Sequence, residues 1–234
     1  LYIGVGQNYS HPANDLSDAV LAVKLSSGEI VWHYQTIKED VWNAACVTNK
    51  VNCPGQYGPD MDIGASVILV NQKDGNDILL VGQKSGMVYA LDPESAGTVL
   101  WKKRIGRGGK KGGIHWGMTA DSKNLYVPIA DIPEKINTEH SPQPGVHSVS
   151  IKDGQRKWYK PAPPICPSEE FKCYSSYSAA ASSAEGMIIV GSMNGAIEII
   201  SSYDGELLWS YNTAKEFQTI NKVPANGGSI DSDG

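Results

Sequence analysis

The sequence repeats one short pattern four times, a glycine followed four residues later by a tryptophan. The four pairs are Gly28 and Trp32, Gly97 and Trp101, Gly154 and Trp158, and Gly205 and Trp209. Alternating apolar residues flank each glycine, which predicts two strands joined by a tight turn in which glycine adopts a positive φ. A small sheet cannot cover both of its faces alone, so the units must stack around an axis and close into a ring. The repeat predicts an all-β propeller with four-stranded blades.

The four tryptophans of the repeat are expected to be structural. Each would pack between neighbouring blades, where an indole side chain buries on the order of 200 Å². Trp42 and Trp116 lie outside the repeat and are free for another role. No window longer than about ten residues has apolar positions at helical spacing, so we expect little helix.

The number of repeats limits how much of a propeller the chain can form. Four units in 234 residues, with one additional strand at the start, correspond to about four to five blades. Residues 1–6 read as a strand, and residues 227–234 end on a turn without a closing strand. We therefore expect residues 1–234 to be a partial propeller domain from a longer chain. The alternative is a complete propeller of four blades.

Charge and hydropathy exclude two classes of partner. Lys and Arg number 20 against 25 Asp and Glu, for a net charge of −5, so the chain lacks the broad basic surface that sequence-independent nucleic-acid binding requires. No run of about 18 apolar residues is present, which predicts no transmembrane segment.

The cysteines form two local pairs inside insertions between repeats, Cys46 with Cys53 and Cys166 with Cys173. Even, locally paired cysteines in loops favour disulfides and an oxidising compartment. We therefore predict a periplasmic or secreted protein. Free thiols in a cytosolic protein are the alternative.

Several stretches, together with the repeat, resemble one family. They are residues 4–12 (GVGQNYSHP), 32–46, 52–66, 112–117 (GGIHWG) and 227–231 (GGSID). The repeat resembles the tryptophan-docking motif of the quinoprotein alcohol dehydrogenases, eight-bladed propellers that bind pyrroloquinoline quinone (PQQ). The stretches are similar to the polyvinyl-alcohol-dehydrogenase-like branch of that superfamily, and they occur in the family's order over nearly the whole chain.

The resemblance implies a PQQ site. PQQ is a flat quinone with three carboxylates, so it needs flat walls, cations for its charge, and a hard divalent cation beside its reactive carbonyl. Lys84 matches the family lysine that bonds to the quinone oxygens, although a lysine in a Lys-Ser-Gly turn is ordinarily solvated. His115 and Trp116 match the residues that contact the cofactor.

The resemblance also implies a Ca²⁺ ion, which prefers six to eight oxygen ligands. The family's asparagine ligand corresponds to Gln7 or Asn8. Asn43 could ligate the metal through its amide oxygen, and Asp62 could supply a carboxylate.

The proton acceptor differs from the family pattern. Alcohol-oxidising relatives have an aspartate after the tryptophan where this chain has Trp42 and Asn43, and an amide cannot act as a general base. Proton abstraction would then pass to Asp40, Asp60 or Asp62. Asp60 and Asp62 are two positions apart, so on a strand they would share one face.

Two functions follow from these features. In the first, the protein is a PQQ- and calcium-dependent dehydrogenase that oxidises a small-molecule or polymeric alcohol and passes electrons to an external acceptor such as a cytochrome c. In the second, the propeller is a non-catalytic binding or assembly scaffold, as similar PQQ-repeat propellers are in outer-membrane protein assembly. Asn43 favours the scaffold, whereas Lys84, His115 and Trp116 favour the enzyme.

Overall fold

The computed structural model describes residues 1–72, 75–133, 139–163 and 174–231, and the regular secondary structure in this part of the chain is almost entirely β. Its one helix is a single 3₁₀ turn, Ala44–Cys46. Within the same residues, no helix has the length and apolar character needed to cross a bilayer. The prediction of little helix is confirmed.

The strands form four antiparallel sheets and a terminal hairpin, each built from strands consecutive in the chain. The first sheet contains β1 (Tyr2–Val5), β2 (Ala19–Val23) and β3 (Ile30–Gln35). The second contains β4 (Ile68–Val70), β5 (Ile78–Gly82), β6 (Met87–Asp92) and β7 (Thr98–Arg104). The third contains β8 (Thr119–Ala120), β9 (Asn124–Ile129), β10 (Gly145–Ser150) and β11 (Arg156–Pro161). The fourth contains β12 (Ser182–Ala184), β13 (Met187–Gly191), β14 (Ala196–Ser201) and β15 (Leu207–Asn212), and the hairpin contains β16 (Glu216–Gln218) and β17 (Pro224–Asn226).

The sheets are arranged as the blades of a propeller. The first strand of the third sheet, β8, contacts the first strands of the second and fourth sheets, β4 and β12. These strands are therefore the inner edges of their blades, and the tryptophan-bearing strands β7, β11 and β15 are the outer edges. Buried apolar side chains fill the space between blades, as Leu80 and Val88 of the second blade do against Leu125 and Val127 of the third.

Three of the repeat tryptophans dock on the glycine of the following blade. A Cβ atom placed on Gly97, Gly154 or Gly205 would lie 2.7 Å from the indole of the preceding blade's tryptophan. Two of these indoles also donate hydrogen bonds into the following blade, from Trp101 Nε1 to Ile151 O at 2.7 Å and from Trp158 Nε1 to Ser202 O at 3.1 Å. The glycines therefore allow the positive φ of the turn and also make room for the neighbouring indole.

Trp209 differs from this pattern. Its side chain is not packed between blades but is 48% exposed and lies parallel to the ring of Tyr211. The expected packing between blades is confirmed for Trp32, Trp101 and Trp158. In the described part of the chain no further blade follows the fourth to cover Trp209.

The topology gathers the candidate residues on one face. In an antiparallel blade successive turns lie at opposite ends, so the turn between the second and third of four strands and the links between blades share one face. The first sheet has three strands, and β2 and β3 correspond to the third and fourth strands of the second blade, so its equivalent turn joins β1 and β2. We call it the loop face; around the candidate residues it is formed by residues 6–18, 36–67, 83–86 and 105–118. All seven candidate residues lie in these segments: Asn8, Asp40, Asn43, Asp62, Lys84, His115 and Trp116.

Candidate functional site

Lys84 forms the centre of the site. It lies in the turn between β5 and β6, and its ammonium donates to Asp60 Oδ1 at 2.8 Å and to Asp62 Oδ2 at 2.6 Å. The residue is only 7% exposed. A lysine in such a turn would ordinarily be solvated, but here it is a buried cation held between two carboxylates.

The two aspartates reach Lys84 from a segment that is not a strand. Asp60 has a φ of +62°, which interrupts an extended chain, so the expectation of a strand with both residues on one face is wrong. The carboxylates nevertheless converge, because the loop turns both of them towards the same ammonium. Asp62 Oδ1 also accepts a hydrogen bond from Gln7 N at 2.9 Å.

Burial and ion pairing shift the pKa values of Asp60 and Lys84 in opposite directions. Burial raises the pKa of Asp60 to about 6, although the hydrogen bond and charge of Lys84 act to lower it. Burial alone would lower the pKa of Lys84, but the hydrogen bonds and charges of Asp60 and Asp62 outweigh it, so the pKa is raised. The lysine is therefore charged at neutral pH, while Asp60 is a carboxylate that takes up a proton in mildly acidic solution.

Asp40 holds the loop that bears these carboxylates. Its side chain is buried and accepts hydrogen bonds from Asp60 N at 3.2 Å and Met61 N at 2.9 Å. The backbone of Gly58 passes so close that a Cβ atom there would overlap the Asp40 carboxylate. Both oxygens of Asp40 are thus engaged by the backbone that positions Asp60.

The two candidate asparagines are engaged in local loop structure. Asn43 Oδ1 accepts from Ala45 N at 2.9 Å, and its amide nitrogen donates to the carbonyls of Tyr9 and Asn52 at 3.0 Å each. Asn8 Oδ1 accepts from Asn14 N at 2.9 Å. The side-chain oxygen of each asparagine therefore already caps a backbone N–H.

A disulfide closes the loop that begins at Asn43. Cys46 and Cys53 are bonded, which confirms the first predicted pair. The second predicted pair, Cys166 and Cys173, lies outside the described residues.

His115 and Trp116 lie on a link that packs directly on the lysine turn. Gly109 N of this link donates to Lys84 O at 3.1 Å, and a Cβ atom on Gly113 would lie 2.2 Å from the same carbonyl oxygen. The rings of His115 and Trp116 are in contact, with centroids 4.7 Å apart, and Trp116 is 39% exposed. The structure therefore presents a flat aromatic surface to solvent on the same loop face as Lys84.

Asp18 is a buried carboxylate that the sequence reasoning missed. It is fully buried, has a φ of +48°, and neither of its carboxylate oxygens has a hydrogen-bond partner. Burial raises its pKa to about 8; the charges of Asp40, Asp62 and Asp60 add to the shift, and Lys84 opposes it. Asp18 is therefore protonated at neutral pH.

The repeat contains a signal for this residue. Thr36 N bonds to Asp18 O in the first blade as Ile105 N bonds to Gly86 O in the second, so Asp18 and Gly86 are structurally equivalent. Aligning SDAVLA with SGMVYA places an aspartate where the other blade has a glycine of positive φ. A non-glycine residue in that conformation is uncommon and often marks a functional site.

These residues fit a flat anionic cofactor better than they fit a metal. An ammonium has three N–H donors, and Lys84 uses two of them on Asp60 and Asp62, which leaves one for a ligand. Trp116 supplies an exposed ring for stacking. Within the described residues no three Asp, Glu, His or Cys side chains are grouped to hold a metal ion.

Comparisons with known proteins agree with this architecture. A family model described as "Outer membrane protein assembly factor BamB" matches residues 16–226. A polyvinylalcohol dehydrogenase from a Pseudomonas species is 36% identical over an alignment of 236 residues that covers 100% of this chain and 36% of that protein. A polyvinylalcohol dehydrogenase from Sphingopyxis sp. (strain 113P3) is 32% identical over 240 residues, again covering 100% of this chain and 36% of that protein.

A solved structure shows the same fold at lower identity. The quinohemoprotein alcohol dehydrogenase ADHIIG from Pseudomonas putida HK5 superposes with a TM-score of 0.58 at 18% identity, over 91% of this chain and 39% of that one. The predicted fold class and the predicted family resemblance are confirmed. The chain spans about a third of the length of the curated relatives it matches.

Proposed function

This chain belongs to the PQQ-repeat propeller family, and on that premise we propose that it contributes a PQQ-binding face to a quinoprotein alcohol dehydrogenase. The proposed substrate is an alcohol, small or polymeric, because both curated relatives are named polyvinylalcohol dehydrogenase. The observation on which the proposal rests is the buried Lys84, held by Asp60 and Asp62 on the loop face that also bears Trp116.

The ion-paired lysine suits a site that must stabilise negative charge. PQQ, when bound, supplies the electron acceptor for oxidation of the alcohol. Lys84 would direct its third N–H to an oxygen of the quinone, where a fixed cation in a buried site stabilises developing negative charge more strongly than a solvated one. Asp60 and Asp62 hold the ammonium in place, so it does not need to reorganise during the reaction.

The proton acceptor is proposed to come from the same carboxylates. Asn43 is an amide, and its oxygen already accepts a hydrogen bond from Ala45 N. Asp60 has a pKa raised to about 6 by burial, which brings a base close to neutral pH. Asp40 would act as a positioning residue, because its oxygens bind the backbone of the Asp60 loop.

The remaining parts of the proposal follow from the family resemblance and the disulfide. Calcium as a second cofactor and a cytochrome c as electron acceptor stay predictions. Location in the periplasm or outside the cell is proposed because the Cys46–Cys53 disulfide is typical of oxidising compartments.

A non-catalytic scaffold is the second candidate. The matching family model is described as an outer membrane protein assembly factor, and Asn43 caps a loop instead of supplying a base. Such a protein would use the propeller surface for binding and would have no need for PQQ.

PQQ binding distinguishes the two candidates. The purified protein is titrated with PQQ, with and without Ca²⁺, while quinone absorbance, tryptophan fluorescence and dye-linked oxidation of polyvinyl alcohol are recorded. Lys84→Ala should weaken PQQ binding at least tenfold, or about 1.4 kcal/mol. The matched control is Lys160→Ala, which breaks another buried ion pair, Lys160 with Glu198 at 2.8 Å, and should leave PQQ binding unchanged. If the wild-type protein binds no PQQ under either condition, the enzyme proposal fails and the scaffold is favoured.

A further inference from the structure

The positive charge of this acidic chain is concentrated in two short segments. Half of its 20 Lys and Arg residues lie in residues 102–111 and 152–160. The first segment contains no Asp or Glu, and the second contains only Asp153. Residues 102–104 belong to the outer strand of the second blade and residues 156–160 to that of the third, so these parts lie side by side on the rim of the propeller. Residues 105–111 continue from the rim onto the loop face.

A groove of about 490 Å³ separates these two blades at the rim. Its lining residues come from the end of the outer strand of the second blade and from the last two strands of the third blade with the segments beside them: Lys103, Arg104, Ile105, Gln143, His147, Gly154, Gln155 and Arg156. Three of them are cations and none is an acid. Burial, aided by the charge of Arg156, lowers the pKa of His147 to about 4, so the histidine is neutral and adds no charge.

The cations of the two segments are almost entirely without acidic partners. Of the cations in these two segments, only Lys160 forms an ion pair with a described residue, Glu198. In the groove, Arg156 donates to the neutral amide oxygen of Gln143 at 2.9 Å and lies over the ring of Tyr159. Arg104 donates to backbone carbonyls. These contacts orient the guanidinium groups without neutralising them.

We infer that this groove binds an extended, carboxylate-rich segment of a partner protein. Uncompensated cations oriented by neutral groups complement an acidic chain, and arginine pairs with carboxylates through two parallel hydrogen bonds. The lining of the groove spans two neighbouring blades, which suits an extended peptide. No exposed aromatic side chain lines it, and nucleic-acid grooves use such rings to stack bases. The inference is independent of PQQ binding.

The test uses a fluorescein-labelled peptide of ten glutamates as the probe. Binding to the wild-type protein is measured by anisotropy at low ionic strength and again at about 0.3 M salt, where screening should weaken it strongly. The double variant Lys103→Glu and Arg156→Glu should weaken binding at least tenfold. The matched control, Lys24→Glu and Lys50→Glu, makes the same change in net charge at exposed positions outside the groove and should weaken binding less than twofold.

Three outcomes would overturn the inference. One is no binding of the peptide by the wild-type protein; the second is an equal loss of affinity in both double variants, which would mean that only net charge matters. The third is tighter binding of duplex DNA or of phosphatidylglycerol vesicles than of the peptide. The milder pair Lys103→Gln and Arg156→Gln, checked by thermal unfolding, shows whether any loss arises from misfolding.

Discussion

The indole of Trp101 in the second blade occupies the space that a side chain on Gly154 of the third blade would need. A Cβ atom on this glycine would lie 2.7 Å from Trp101 Cε3, and the glycine has a φ of +67°. One residue thus meets two demands, the left-handed turn within its own blade and the close approach of the neighbouring blade. The same relationship joins Trp32 to Gly97 and Trp158 to Gly205.

This relationship predicts different costs for two glycine substitutions. Gly154→Ala should reduce the free energy of unfolding by about 3 kcal/mol, because the left-handed conformation is strained and the indole must also move. Gly28 has the same conformation, with a φ of +74°, but no atom lies within 4 Å of its Cβ position. Gly28→Ala should therefore cost only about 1 kcal/mol. If urea unfolding shows the same loss of free energy for both variants, the contact between Gly154 and the Trp101 indole does not add to the cost of the substitution.

Removal of Lys84 should destabilise the protein as well as impair cofactor binding. Lys84→Ala leaves the buried Asp60 and the partly buried Asp62 without their counter-charge, and breaking a buried ion pair in this way costs about 3–5 kcal/mol. Thermal unfolding at pH 7 measures the loss. Adding Asp60→Asn to the variant should restore part of the stability, whereas no restoration would show that the cost is not electrostatic.

Asp18 should make stability decrease as the pH rises. Its pKa is 3.8 in a model peptide and about 8 in the folded protein, so between these values the native state holds a proton that the unfolded state has lost. The contribution of Asp18 is therefore fully present below the unfolded pKa and is lost as the pH increases through the folded pKa.

Asp18→Asn tests this assignment, because asparagine tolerates a positive φ and does not titrate. In urea unfolding the variant should gain stability relative to the wild type between pH 5 and about 8. Asp60 also has a raised pKa, so it lowers the stability with rising pH in both proteins. The difference between the two stability curves therefore reports on Asp18 alone. Parallel stability curves would mean that Asp18 is ionised in the folded protein.

The disulfide should contribute measurably despite its short loop. Cys46 and Cys53 are seven residues apart, and closing a loop of this size in the unfolded chain contributes about 2 kcal/mol. The Cys46→Ser and Cys53→Ser double variant should show this loss in thermal unfolding. Because the variant has no disulfide between these positions, a reducing agent should cause no further loss of thermal stability there.

The blade architecture could be predicted well because its signals are local. The glycine-to-tryptophan spacing and the alternating apolar residues report on turns and strands within a few positions, and all four sheets have the predicted turn. Trp209 shows the limit of such reasoning. It follows an Asp-Gly turn at the same spacing as Trp158, but its exposure depends on what lies beside the fourth blade.

The candidate site was predicted less completely. Lys84 and the pair of aspartates were identified as candidates, but the ion pairs between them were not, and Asp18 was missed. Asn43 is a candidate metal ligand from the sequence, and the structure shows that its amide oxygen also accepts a hydrogen bond from Ala45 N. Each of these outcomes depends on loops from different blades that approach one another.

The sequence by itself determined the repeating blade, because strand periodicity, glycine turns and tryptophan spacing act over short distances along the chain. Only the tertiary structure decided which charges are buried and paired. Lys84 meets Asp60 and Asp62 from 24 and 22 residues away, and Asp18 is buried by the packing of adjacent loops. Burial and pairing depend on separation in space and on excluded water, and the local spacing of residues encodes neither.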